Sequence, residues 1–174
     1  MKVFVSGGSK NGKSTFAENE AVRLADESCT KLYYIATMIA SDDEDRERIK
    51  RHKESRKGKG FETLEIPYDI TVEDAEGTYL LDAVTALLSN EMFRDGNIYP
   101  EAYKKVAEDL IRLSREVKNI VFVSDYIYSD ARLFDEFTED YRRGLAYVDR
   151  MLAQECDRVC EVTFGNIIEY KEWK

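Results

Sequence analysis

Eight residues near the start of the chain have the types and the spacing needed to hold a triphosphate. The segment reads G-x-x-x-x-G-K-S and consists of Gly7, Gly8, Ser9, Lys10, Asn11, Gly12, Lys13 and Ser14. Glycines in such a loop let successive backbone N–H groups point at phosphate oxygens. The lysine of the loop reaches the β- and γ-phosphates, and the serine hydroxyl ligates Mg²⁺. The pattern therefore predicts that Lys13 binds phosphate and that Ser14 binds the metal.

The residues on either side favour a phosphate-binding loop over a glycine-rich turn that binds nothing. An apolar run at residues 3–5 precedes the loop, and a segment of helical periodicity, residues 14–26, follows it. A strand, a glycine loop and a helix in this order are the context that the motif requires. The N-terminal end of such a helix also attracts anions. We therefore predict that the chain binds a nucleoside triphosphate.

A basic segment surrounds the single histidine, His52. It lies at the end of a predicted helix, residues 41–53, which has an acidic first turn and Ser41 as its predicted N-cap. The cations of the segment are Arg46, Arg48, Lys50, Arg51, Lys53, Arg56, Lys57 and Lys59. Charge runs usually face solvent. Taken alone, the segment favours a solvated helix face followed by a loop.

Two predicted strands end in residues that belong near a ligand. Residues 31–36 and 78–84 are apolar enough for buried strands of a parallel sheet. Ligands of open α/β sheets bind at the carboxyl ends of strands. Ala36, Thr37 and Met38 should therefore lie near the glycine loop if their strand is a close neighbour of the first one. Asp82 either orients Mg²⁺, as an acid after an apolar strand commonly does in such proteins, or caps the helix that follows.

The remaining segments alternate between helical and strand patterns. Strands are predicted at residues 61–66 and 120–125, and helices at 85–93 and 101–118. The segment 130–155 carries apolar residues at helical spacing, and Leu133, Phe134 and Phe137 are assigned with them to the core. Residues 158–164 and 167–171 read as a hairpin. We predict a three-layer α/β fold with a mostly parallel sheet and a C-terminal antiparallel hairpin.

The composition limits the classes of partner. The 174 residues fit one domain, residues 1–174, and the net charge of −9 disfavours a nucleic-acid partner. No apolar run is long enough to span a membrane, and the chain starts directly in a strand, so we expect a cytoplasmic protein without a secretory signal. Three cysteines and one histidine do not suit a metal site. Cys29, Cys156 and Cys160 are expected to be reduced and packed in the core.

Several separated segments together resemble one enzyme family. They are the glycine loop, Tyr34-Ile35-Ala36-Thr37, Asp42-Asp43-Glu44, Arg48-Ile49, His52-Lys53, Leu80-Leu81-Asp82 and Val121-Phe122-Val123-Ser124. In order and spacing they resemble the bifunctional adenosylcobinamide kinase / adenosylcobinamide-phosphate guanylyltransferase family of cobalamin biosynthesis. After Ser124 the chain departs from the family, because Asp125-Tyr126-Ile127 stands where the family usually carries a Glu-Val-Gly stretch.

The resemblance implies an activity and a set of site residues. Such enzymes have a P-loop core, assemble as trimers, use GTP or ATP with Mg²⁺ to phosphorylate adenosylcobinamide, and transfer GMP from GTP through a guanylylated histidine. That histidine corresponds to His52. The nucleotide contacts after it correspond to Lys53, Glu54, Ser55, Arg56, Glu65 and Asp82. In this setting the basic segment gains a role, because neighbouring cations disfavour the protonated imidazole and offset charge on the reacting phosphates.

Three hypotheses remain open from the sequence. The first is the family's kinase and guanylyltransferase. The second is a small-molecule kinase on the same core, in which His52 is incidental. The third is a nucleotide-binding module without a cobinamide site. A covalent adduct between nucleotide and protein separates the first from the other two.

Overall fold

The computed structural model describes residues 1–129 and 131–171, with no side chain for Arg48. Within these residues one sheet contains seven strands. In chain order they are β1 (Lys2–Gly7), β2 (Leu32–Ala36), β3 (Phe61–Glu65), β4 (Thr78–Asp82), β5 (Asn119–Asp125), β6 (Arg158–Thr163) and β7 (Asn166–Lys171). The α-helices are α1 (Lys13–Ser28), α2 (Asp43–Ser55), α3 (Val84–Met92), α4 (Ala102–Glu116) and α5 (Glu136–Glu155). Short 3₁₀ turns lie at Arg94–Gly96 and Ile127–Ser129.

The strands lie in the order β3-β2-β4-β5-β1-β6-β7. Neighbouring strands are parallel except β6 and β7, which form an antiparallel hairpin. The predicted fold class is confirmed. The order also shows that β2 is not next to β1, because β4 and β5 lie between them. Their carboxyl ends nevertheless lie along the same edge of the sheet, so residues after β1, β2, β4 and β5 lie along that edge.

Side chains that alternate along the strands form two apolar layers, one on each face of the sheet. On one face Val3, Val5 and Tyr34 pack with α1, and on the other Phe4 and Tyr33 pack with α3, α4 and α5. Burial of both faces explains why the central strands read as continuous apolar runs. The sheet therefore provides a rigid base, and its carboxyl edge positions the polar residues.

The helix predicted from residue 130 begins later than expected. Helix α5 starts at Glu136, because the Asp135 side chain caps it by accepting a hydrogen bond from the Thr138 N–H. Residues 131–135 are not helical, and residue 130 lies outside the described residues. The assignment of Leu133, Phe134 and Phe137 to the core was wrong, since all three are exposed, Leu133 by 86%.

Two smaller expectations were also wrong. The N-cap of α2 is Asp42 rather than Ser41, because the Asp42 carboxylate accepts from the Asp45 N–H at 2.8 Å. Cys29 is exposed, whereas Cys156 and Cys160 are buried as expected. Cys29 lies at the C-cap of α1 with a positive φ of 51°, which ends the helix and turns the residue outward.

Glu155, at the end of α5, is predicted to make the fold sensitive to acid. Its carboxylate contacts Arg115 at 2.8 Å and Lys2 at 2.6 Å, and these partners lower its pKa from 4.5 to about 2. The stabilisation is therefore complete above about pH 4.5 and is lost as the pH falls towards 2. We expect Glu155→Gln to lower the free energy of unfolding at pH 7 by about 1 kcal/mol, since solvent screens such pairs.

Urea unfolding of both proteins at pH 7 and at pH 3 measures this effect. The difference between wild type and variant should shrink at the lower pH. Glu76→Gln is the matched control, because Glu76 is exposed and, within the part of the chain that the structure describes, forms an ion pair only with Lys118, at 3.4 Å. An equal loss of stability in the two variants would argue against a special role of Glu155.

Candidate functional site

The glycine loop has the backbone geometry that its sequence predicts. It joins β1 to α1, and Gly12 precedes the helix with a φ of 90°, which a glycine adopts without strain. Gly7 is required for another reason. A Cβ at that position would lie 2.5 Å from the carbonyl oxygen of Val162 on β6. The loop is therefore held tightly against the sheet on one side and open at the start of α1.

Lys13 lies in the first turn of α1 and is buried. Its ammonium group forms an ion pair with Asp125 and donates a hydrogen bond to the Gly8 carbonyl oxygen at 3.2 Å. Asp125 ends β5, which is the strand next to β1, and it lies opposite Gly7 in the register. Asp125 was not among the predicted site residues. Its signal in the sequence is an acid near the end of an apolar strand, after the run 120–123 and Ser124, which is similar to the signal that singled out Asp82.

A cavity of about 830 Å³ lies along the carboxyl edge of the sheet. This volume is in the range of ligand pockets. Nine of the predicted site residues line it: Gly8, Ser9, Ala36, Met38, His52, Lys53, Arg56, Glu65 and Asp82. Residues near the start of the loop and the histidine of α2 therefore face the same space.

The other predicted residues do not line the cavity, although most adjoin it. Six belong to the glycine loop or to the start of α1: Gly7, Lys10, Asn11, Gly12, Lys13 and Ser14. Thr37 is fully buried, and its hydroxyl bonds to the backbone of Ala83. Ser55 bonds to Glu18 at 3.2 Å, and Glu54 is exposed. These three side chains could reach a nucleotide only after a rearrangement.

His52 lies beside a carboxylate. Its Nδ1 atom is 3.6 Å from Oδ2 of Asp82, which is within ion-pair range but longer than a hydrogen bond. The Tyr34 hydroxyl donates to the same oxygen at 3.2 Å. The Arg56 guanidinium carbon lies 3.3 Å from the centroid of the Tyr34 ring, a cation–π contact. Arg56, Tyr34, Asp82 and His52 thus form a chain of contacts, which we call the His52 support chain.

Burial raises the pKa of the Asp82 carboxyl, while His52 and the Tyr34 hydroxyl act in the opposite direction. Burial and the Asp82 charge together raise the pKa of Tyr34, so that its hydroxyl remains a donor at all ordinary pH values. The structure also excludes the alternative that Asp82 caps α3. The N-cap of α3 is Ala83, and no side chain caps that helix.

Part of the basic segment is neutralised by acids from other elements. Lys53 pairs with Glu65 on β3 at 3.0 Å, and Lys59 pairs with Glu18 on α1 at 2.6 Å. Arg56 is buried and its Nη1 atom has no hydrogen-bond partner. A buried guanidinium donor without a partner is costly, and an anionic ligand in the cavity would satisfy it. Arg56 therefore keeps an unsatisfied donor for a ligand, whereas the charges of Lys53 and Lys59 are paired.

A parallel sheet with a G-x-x-x-x-G-K-S loop between its first strand and first helix defines a P-loop NTPase, and solved structures show the same fold. The flagellar accessory protein FlaH from Methanocaldococcus jannaschii aligns with a TM-score of 0.53 at 13% identity, covering 99% of this chain and 78% of that one. A second solved structure, described as an ATPase domain, aligns with a TM-score of 0.51 at 11% identity, covering 92% of this chain and 68% of that one.

Within that class the family is also clear. Residues 3–169 match the model of the family described as cobinamide kinase / cobinamide phosphate guanyltransferase, and the chain belongs to this family of transferases. The bifunctional adenosylcobalamin biosynthesis protein CobP of Pseudomonas aeruginosa is 29% identical over 171 residues, covering 95% of this chain and 94% of its own. The protein CobU of Salmonella typhimurium, of the same description, is 27% identical, covering 98% and 100%. None of the helices in the described residues is both long and apolar enough to cross a bilayer.

Proposed function

We propose that this chain phosphorylates adenosylcobinamide and then transfers GMP from GTP to the phosphorylated product through a covalent adduct on His52. One observation carries the proposal: the glycine-loop residues Gly8 and Ser9 and the imidazole of His52 line one cavity. A simple kinase needs the loop but has no use for a nucleophile in the same space. Membership of the family supports both activities.

The phosphates of the nucleotide are held by the glycine loop. Lys13 is buried at the base of the loop, where it supplies positive charge to the β- and γ-phosphates. Arg56 also lines the cavity and offers its unpaired donor to phosphate. The resemblance implies further nucleotide contacts at Lys53, Glu54, Ser55, Glu65 and Asp82. The segment 36–38 is a candidate because its strand ends at the same edge of the sheet as β1. GTP is the donor of GMP, and the γ-phosphoryl group comes from GTP or ATP.

The residues present suit a Mg²⁺ ion bound with the nucleotide. Mg²⁺ prefers oxygen ligands, often carboxylates and substrate phosphates. The Ser14 hydroxyl lies in the first turn of α1, and Asp125 ends the neighbouring strand beside Lys13. We propose these two residues as ligands, with Asp82 as the further candidate from the sequence. The ion would offset the negative charge of the phosphates.

The acceptor is proposed to bind at the apolar part of the cavity. Met38, Ile39, Ile127 and Tyr141 line the cavity and give it an apolar surface. Ile39 and Ile127 are also exposed, as expected for a site that is incomplete in a single chain. A trimer, which the resemblance implies, would bring a second chain to such surfaces.

Two assays on the wild-type protein test the proposal. In the first, adenosylcobinamide and γ-labelled GTP or ATP should give labelled cobinamide phosphate. In the second, α-labelled GTP and Mg²⁺ should leave label on the denatured protein and release pyrophosphate. Turnover of a hydroxyl acceptor without an adduct would favour the small-molecule kinase. Nucleotide binding with neither reaction would favour the binding module.

A further inference from the structure

The His52 support chain bears directly on how His52 is oriented, and neither a nucleotide contact nor a metal ligand at Asp82 would explain it. Among the described residues, the carboxyl group of Asp82 accepts one hydrogen bond, from Tyr34, and its ion-pair contact is with Nδ1 of His52. Because Asp82 does not cap α3, its largely buried side chain has no local structural partner on its own strand or the helix after it. Burial of such a carboxyl group costs free energy of desolvation, and a functional contact would offset this cost.

We propose that Asp82, held by Tyr34, is a positioning residue that fixes the His52 ring with its proton on Nδ1 and its lone pair on Nε2. The inference rests on the proposed function, because it concerns the residue that would carry GMP. The distance of 3.6 Å closes to a hydrogen bond after a small rotation of the ring. Such contacts are often long without substrate and tighten in the complex. A carboxylate at one ring nitrogen sets which nitrogen is free to react.

The orientation has a consequence for the transfer step. The Nε2 lone pair forms a bond to the α-phosphorus of GTP, the bond from that phosphorus to the bridging oxygen breaks, and its electron pair leaves on pyrophosphate. The ring keeps the proton on Nδ1 and becomes positively charged. The Asp82 carboxylate then lies beside that charge and stabilises it. When the acceptor phosphate attacks the phosphorus, Nε2 departs with its electron pair and the ring is neutral again.

In this arrangement Tyr34 fixes the orientation of the Asp82 carboxylate. It lies on β2, and its ring is held between the Arg56 guanidinium and the sheet. The hydroxyl is thereby fixed on Oδ2 of Asp82, the same oxygen that faces His52. The preceding residue offers a matched control. Tyr33 donates to Asp74 at 2.9 Å on the opposite face of the sheet, away from the cavity.

Because the chain contains one histidine, its tautomer can be read directly without any substrate. Untagged protein labelled with ¹⁵N-histidine gives one pair of ring nitrogen signals, recorded at a pH at which the ring is neutral. We expect the Nδ1–H form in the wild type and in Tyr33→Phe, and a shift towards the Nε2–H form in Asp82→Asn. The Nε2–H form in the wild type would overturn the inference and leave the proposed function intact.

A kinetic measurement provides the second test. The rate of labelling from α-labelled GTP should fall about 100-fold or more in Asp82→Asn and about 3- to 10-fold in Tyr34→Phe, with the wild-type rate in Tyr33→Phe. The Kd for GTP should change far less than the rate in both variants. Labelling of Asp82→Asn at the wild-type rate would contradict the inference. A loss of GTP affinity or of Mg²⁺ dependence as large as the loss of rate would make Asp82 a nucleotide or metal ligand instead. A wild type that never labels would overturn the proposed function itself, and the inference with it.

Discussion

His52→Asn should abolish covalent labelling of the protein by α-labelled GTP. The amide of Asn has no nucleophilic nitrogen, and the sequence contains no second histidine that could replace it. The rate of labelling should fall by more than about 1,000-fold, since formation of the adduct requires the nucleophile. GTP affinity should remain close to that of the wild type, because the glycine loop is unchanged. Release of pyrophosphate should disappear with the label.

The chemistry of the bond provides an internal check. A phosphorus–nitrogen bond to histidine should be lost in acid and survive in base, whereas an ester to serine behaves in the opposite way. Lys57→Gln is a suitable control, because Lys57 lies in the same basic segment and is exposed. It should label as the wild type does. Labelling of His52→Asn would mean that the nucleophile lies elsewhere. Phosphorylation of cobinamide can persist in this variant, since that step transfers the γ-phosphoryl group.

Lys13→Ala should reduce both activities by at least about 100-fold and weaken GTP binding. No other lysine of the loop can replace the charge, because Lys10 is exposed, whereas Lys13 is buried in the first turn of α1. The substitution also leaves Asp125 beside the loop without its cationic partner. Breaking a buried pair in this way costs about 3–5 kcal/mol of stability. The variant could thus fail through unfolding as well as through lost binding.

A double variant separates these two effects. Lys13→Ala with Asp125→Asn removes both charges, so the melting temperature should recover while GTP binding, measured by calorimetry, should not. A single Asp125→Asn variant shows what the loss of that carboxylate does by itself. Wild-type turnover by Lys13→Ala, or recovery of GTP affinity in the double variant, would argue against the phosphate-binding role of the loop.

Features that depend only on residues close together in the sequence could be predicted from it. The glycine loop, the strand before it and the helix after it were all predicted correctly, because the motif and its context are local. The segment 130–155 shows the limit of periodicity. Leu133 and Phe134 fit the helical repeat, yet Asp135 caps the helix and leaves them outside it. Asp130, at the start of the segment, was an equally good cap on sequence grounds.

Contacts between distant segments could not be predicted. Asp125 contacts Lys13 because β5 lies next to β1. No local sequence pattern predicts this order of the strands. Likewise, Tyr34 looked like an ordinary strand residue, and the sequence singled out Asp82 without indicating that it would contact Tyr34 and His52. Their hydrogen bond, and the approach of His52 to it, depend on the pairing of β2 with β4 and on where α2 lies above the sheet edge.

The ion pair between Lys13 and Asp125 should also affect which anions bind to the loop. The ammonium group is already neutralised, so a ligand must draw it away from the carboxylate. Inorganic phosphate or sulfate would offer the ammonium group only one anionic group in place of the Asp125 carboxylate. We therefore expect it to compete poorly. A triphosphate offers several anionic groups and fills the whole cavity at once. We therefore expect the pair to act as a threshold that disfavours small anions at the loop and favours nucleotides.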